Sequence, residues 1–305
     1  MLMEHKLASP SLARGRLLIV LAAVLWSTSG LFKCVLKHTT PLRLGAEPVD
    51  DLAIAFYRVF FASLVLLPTL RRRSVSFRPS MLAMVGCFAA MNITFVLALT
   101  RGKAANAILL QYTAPLWIYL AGIWLLGDVP SLRGWTSLAI GLIGVGVLMW
   151  GGGRESDLPV IVLGLSSGIF YGGVVIFLRL LRDVAPNWLT ILNHLGAAVV
   201  VAPLLLYNGW PVLSPVQLAV LALFGAVQMG VPYVLMARSL RVVSPQEAGV
   251  ITLLEPLLNP LWAYLVAPET ESPTMYTLVG GAFILGALAW RYWPRRPTVA
   301  DCQTA

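Results

Sequence analysis

Ten separate runs of apolar residues, each about the length needed to cross the hydrocarbon core as a helix, constrain this chain more than any other feature. They occupy 17–36, 52–70, 81–100, 104–126, 132–150, 158–180, 188–207, 216–237, 248–267 and 274–290. Hydrocarbon offers backbone N–H and C=O groups no water partner, so only helices and closed barrels span it. Barrel strands need only about 10 residues and alternate strictly. These runs are roughly twice that length, rich in Leu, Ala and Gly, and do not alternate. An all-α, polytopic membrane protein with ten transmembrane helices is therefore expected. Composition agrees: 58% of residues are hydrophobic and 11% charged, too few charges to wet the surface of a 305-residue soluble protein.

Charge sets the expected orientation, because cationic loops remain in the cytoplasm. With the N-terminus inside, fifteen of the 22 Lys and Arg residues fall in cytoplasmic segments, including Arg71, Arg72 and Arg73. Five fall outside, and Lys33 and Arg58 lie within runs near their outer ends, where their heads are expected to reach water. Both termini are thus expected in the cytoplasm. The net charge of +9 is spread over short loops and forms no single basic face, so nucleic acid is not an expected partner. Cys34, Cys87 and Cys302 have no metal-ligand spacing and suggest no disulfide framework.

The second half of the chain rhymes with the first. Ala107 to Pro115 in the fourth run matches Ala248 to Pro256 in the ninth, with Ala and Pro eight residues apart in both. Gly141, Gly146 and Trp150 in the fifth run answer, with a one-residue shift, to Gly281, Gly286 and Trp290 in the tenth. Five runs per half is an odd number, so the second half must enter the membrane from the opposite side. The expected organisation is an N-terminal cytoplasmic tail (1–16), a first five-helix repeat (17–153), an inverted second repeat (154–293) and a C-terminal cytoplasmic tail (294–305). Inverted repeats put a substrate site near the midplane, where the halves meet and rock.

The order and spacing of Trp26-Ser27, Arg58, Pro115, its partner Pro256 and the Gly-rich fifth and tenth helices resemble the drug/metabolite transporter superfamily, and within it the EamA-type ten-helix exporters. The likeness spans about Arg14 to Trp290. It implies a basket-shaped bundle whose cavity is lined by helices one, three, four, six, eight and nine, with the second, fifth, seventh and tenth in support. The stretch from Val24 to Thr28 looks most like bacterial exporters of aromatic amino acids and of flat cations, which implies residence in a bacterial inner membrane. One departure stands out: Ala114 occupies the position of Glu255 in the other repeat.

Glu255 is the one acidic residue expected at membrane depth, roughly 14 Å from the start of its helix. It suits either a proton carrier or a partner for a substrate ammonium, and equally a neutral acid bonded to carbonyls freed by Pro256 and Pro260. Gln111 and Tyr112 flank the weakness made by Pro115 and carry donors, acceptors and a ring. Asn92 and Gln228 are amides at loosely matching repeat positions and suit either substrate binding or helix association. Trp26, Trp117, Phe170, Tyr171 and Tyr233 are aromatics inside spans, able to pack or to stack on a planar substrate or cation. No Lys or Arg is expected deep in the cavity helices, which argues against phosphorylated substrates. Gly164, Gly168 and Gly172 form a small-residue ladder suited to close helix packing.

The expected function is export of a small organic metabolite, aromatic or neutral amino acids first, by alternating access. The substrate and the bilayer are the expected partners, protons are a candidate coupling ion, the protein is expected as a monomer or weak dimer, and no cofactor is implied. Flat organic cations are the alternative substrate class. A remote enzymatic alternative comes from the G-x-S-x-G pattern at Gly164 to Gly168, which makes Ser166 or Ser167, with His194, a candidate hydrolase pair. That pattern needs a strand-to-helix turn, whereas here it lies inside an apolar run expected to be continuous helix.

Overall fold

A computed structural model describes residues 12–37, 39, 47–71, 73, 75–155, 158–243 and 245–293, and shows helices with no strand among them. Most of the two expected tails lie outside the described residues, as do Arg43, Arg72, Cys302 and the side chain of Arg154.

Among the described residues fourteen of the fifteen α-helices fall into ten segments, and the other is a single turn. The first is α1 (Leu12–Trp26) and α2 (Ser29–Leu36); then come α3 (Asp51–Leu66), α4 (Pro79–Arg101), the pair α5 (Ala104–Gln111) and α6 (Ala114–Leu126), and α7 (Leu132–Glu155). The second half holds α8 (Leu158–Leu180), α9 (Pro186–Tyr207), then α10 (Pro215–Leu223) joined to α11 (Val231–Ser239) through a wide π-helical turn at Phe224–Gly230. The pair α12 (Pro245–Ile251) and α13 (Leu254–Val266), the single turn α14 (Pro268–Glu271) and α15 (Met275–Tyr292) complete it. Among the described residues eight helical runs are long and apolar enough to cross a membrane; Met275–Arg291 is shorter, and the ninth segment is divided.

The distribution of side chains suits an apolar solvent. Leu17, Leu82, Trp124 and Val199 are more than half exposed, whereas Arg58, Asn92, Asn193, Asn259 and Glu271 are buried. A water-soluble fold shows the reverse.

Four segments are irregular, and each irregularity has a local cause. Pro115 and Pro256 cannot donate to the carbonyls of Gln111 and Thr252, and the chain breaks at Tyr112–Thr113 and Thr252–Leu253. Proline alone is not sufficient, since α9 and α13 continue through Pro203 and Pro260. At the first break the Thr113 hydroxyl also donates to the Leu110 carbonyl at 2.6 Å. The first segment, expected to be unbroken, parts at Ser27–Thr28 without any proline. There Ser27 Oγ donates to Val24 O at 2.7 Å and Thr28 Oγ1 to Leu25 O at 2.6 Å, which competes with the helical ladder. In the eighth segment Pro232 removes the donor that Gln228 O would accept from, and the helix widens just before it.

The segments pair in a pattern that survives exchange of the halves. The second packs on the seventh, the fourth on the ninth and the fifth on the tenth. The third packs on the sixth as the eighth does on the first; the second meets the eighth as the seventh meets the third; and the fourth meets the sixth as the ninth meets the first. Glycines allow the closest of these approaches: a side chain on Gly164 or Gly168 of α8 would run into Leu110 and the carbonyls beside the fourth-segment break. The glycine ladder therefore serves helix packing.

Candidate functional site

A cavity of about 580 Å³ draws its wall from both halves of the chain. This is the size range of small-molecule sites. Seven of the ten candidate residues line it: Trp26, Gln111, Tyr112, Tyr171, Gln228, Tyr233 and Glu255. Every broken or widened segment contributes, because a parted helix turns side chains and carbonyls toward the space beside it.

Tyr112 ties the two proline breaks together. Its hydroxyl lies 2.7 Å from Glu255 Oε2 and 3.0 Å from the carbonyl of Thr252, the acceptor that Pro256 leaves without its helical donor. Gln228, on the widened turn of the eighth segment, donates through Nε2 to the carbonyl of Trp26 at 3.1 Å, at the break in the first. Its Oε1 is buried without a partner. Trp26 and Tyr233 meet edge to face with ring centroids 5.4 Å apart, and Met91, Phe95 and Met229 extend the apolar wall.

Three candidates stand away from the cavity. Asn92 is fully buried behind it, accepting from Arg58 Nη2 at 2.6 Å and donating to Ala55 O at 2.8 Å. Trp117 donates to Thr113 Oγ1 at 3.0 Å, and Phe170 packs against the apolar core.

Two cations lie deeper than the sequence predicts. Arg58 does not reach water: it is 2% exposed and lines the cavity, its guanidinium 5.2 Å from the Phe95 ring centroid and 5.6 Å from that of Phe224. The expectation that no cation lies deep in the cavity therefore fails. Lys33 is buried too, paired with the buried carboxylate of Glu271 and donating to Gly102 O at 3.1 Å. Glu271 Oε2 accepts from the Ala104 backbone N–H at 2.8 Å and so caps the start of α5. The signal pointing to both is the cost of an unpaired charge in lipid, which demands a partner; the partner, though, is 238 residues away in sequence for Lys33. The expected division of helices also shifts, since α3 contributes Arg58, α9 contributes Pro186 and Thr190, and α15 contributes Leu288 to the wall.

Two further ion pairs lie at the exposed surface. Arg78 pairs with Asp183 and Arg179 with Asp128, and the hydrogen bonds from these arginines hold both carboxyls below the usual aspartate range.

Neither serine of the G-x-S-x-G pattern meets a base. Ser167 lies in continuous helix and donates back to Gly164 O at 2.7 Å, while His194 Nδ1 is 2.8 Å from Thr190 O and its ring sits between Phe88 and Tyr233.

The sequence pattern that defines the EamA-like transporter family matches residues 13–150 and again 158–292. An uncharacterized transporter of Archaeoglobus fulgidus is 29% identical over 286 residues, covering 91% of this chain and 96% of that protein. A crystal structure at 17% identity superposes with a TM-score of 0.64 over 92% of this chain and 98% of the other, and shares the fold.

Proposed function

Since the chain belongs to the EamA-like transporter family, we propose that this membrane transporter exports aromatic or neutral amino acids by alternating access through the cavity between its halves. One observation carries the reading: a cavity of small-molecule size whose wall comes from both halves and joins aromatic rings to the carboxylate of Glu255. Tyr112 fixes that carboxylate, leaving it to meet a substrate ammonium or to carry a proton. Trp26, Tyr171 and Tyr233 suit a flat apolar side chain.

The exchangeable pairing of segments supports two inverted five-helix repeats, which supply the two related conformations that alternating access requires. On the positive-inside count both termini face the cytoplasm of a bacterial inner membrane. In that frame the cavity reaches Leu178, Pro186 and Leu240 toward the cytoplasm, while the Lys33–Glu271 pair ties the outer end shut. The protein acts as a monomer or weak dimer, with protons as the candidate coupling ion.

Flat organic cations are the second reading, favoured by the same carboxylate and rings. A flux panel with purified protein in liposomes separates the two: labelled phenylalanine, tryptophan, leucine and methyl viologen, each with and without a proton gradient. Uptake of the aromatic amino acids is the expected result. Uptake of methyl viologen alone transfers the assignment to cations, and no flux with any of them removes the transport reading.

A further inference from the structure

We infer that Arg58 is the carboxylate anchor of the cavity and that this site selects substrates bearing both an ammonium and a carboxylate over amines and organic cations. The inference rests on the transport reading above and sharpens its substrate class.

A guanidinium carries five N–H donors and keeps its charge at any physiological pH. In this protein Asn92 Oδ1 engages Nη2, while Nε and Nη1 are buried with no hydrogen-bond partner. Leaving charged donors unsatisfied inside a bundle is expensive, so such a group calls for a partner, and an ionisable group at membrane depth is by default a functional one. Arg58 lines the cavity, so the missing acceptor has a place to sit. The surroundings are built for holding rather than for release. Asn92 is itself locked by its bond to Ala55 O, and Phe95 and Phe224 flank the guanidinium.

The charge arrangement then narrows the ligand. Glu255 and Arg58 both line the cavity, and no ion pair within 4.0 Å joins them. A substrate carrying one charge of each sign satisfies both. An amine or flat cation satisfies Glu255 and meets repulsion from Arg58; a phosphorylated anion satisfies Arg58 and meets repulsion from Glu255. Gln228 Oε1, a buried acceptor without a donor on the wall, adds a further site for the ammonium. The apolar remainder, Trp26, Met91, Phe95 and Met229, receives the side chain.

The test is competition against labelled L-phenylalanine uptake in liposomes by unlabelled phenylalanine, its methyl ester and phenethylamine; the last two keep the ring and ammonium but lack the carboxylate. In the unaltered protein both should compete roughly tenfold or more weakly than phenylalanine, the size of a lost charge-assisted hydrogen bond. Arg58→Gln should collapse that ratio toward one, and Arg58→Lys should restore part of it. Because a buried arginine can matter for folding, the unaltered protein decides by itself: competition by phenethylamine within twofold of phenylalanine overturns the inference. A folded Arg58→Gln protein that keeps the full preference also overturns it. Transport of methyl viologen or phenethylamine with none of phenylalanine sinks the anchor while leaving transport intact, and absence of flux with every probe sinks both.

Discussion

The fourth and ninth segments occupy equivalent positions in the two halves and share a backbone plan, yet they differ in where they keep their charge. Both break just before a proline, and both breaks border the cavity. In the fourth segment the residue beside the proline is Ala114; in the ninth it is Glu255. Their exits differ as well. Asp128, beyond the fourth, pairs with Arg179 at the exposed surface, whereas Glu271, beyond the ninth, is buried against Lys33 and caps α5. A repeated backbone feature thus belongs to the architecture. A charge present in only one copy marks where the halves have taken different tasks.

The contrast between the exits offers the largest effect. Glu271→Gln leaves the Lys33 ammonium buried without its counter-charge and should lower stability by about 3–5 kcal/mol, read as a large fall in melting temperature of the detergent-purified protein. Asp128→Asn should leave melting unchanged within error. Equal effects at the two exits would erase the distinction.

The contrast between the breaks is sharpened next. Glu255→Gln keeps the side-chain shape and should cut liposome flux by roughly tenfold, about 1.4 kcal/mol of transition-state stabilisation, with little change in melting. Normal flux at every pH would remove Glu255 from the mechanism. Tyr112→Phe deletes the bond joining the two breaks and should cost about 1 kcal/mol of stability, with flux falling only severalfold.

The smallest effect concerns acid. Arg179 holds the Asp128 carboxyl below its ordinary range. Whatever stabilisation that pair contributes is complete above about pH 4, the unfolded aspartate value, and fades as pH falls through the lowered folded value. Asp128→Asn should therefore differ from the unaltered protein only above about pH 4, with the difference closing as pH falls, and only weakly, because the pair is solvent-exposed. A large fall in melting temperature near neutral pH would mean that the pair does more than decorate the surface.

Much of the architecture was legible in the residues. The ten apolar runs coincide with the ten helical segments to within a few residues, because hydrocarbon length and backbone satisfaction act locally. Pro115 marked its weak point for the same reason, whereas the residues did not distinguish Pro256, where the chain parts, from Pro260, through which α13 continues. The break at Ser27–Thr28 was not legible, since serine and threonine interrupt a helix only when their hydroxyls turn back on it and a partner such as the indole of Trp262, 2.9 Å from Ser27 Oγ, holds them there. Trp117 and Phe170 looked as promising as Trp26 and Tyr233 because a sequence shows that a ring lies within a span but not which way it faces.

The residues alone thus determined solvent and most of the secondary structure, consequences of forces acting within one turn or one span. Tertiary packing decided the fate of every charge in the membrane. Arg58 turned inward to the cavity and Lys33 found Glu271 from the other half, because a buried charge is stabilised by what surrounds it in space, and those neighbours come from distant parts of the chain.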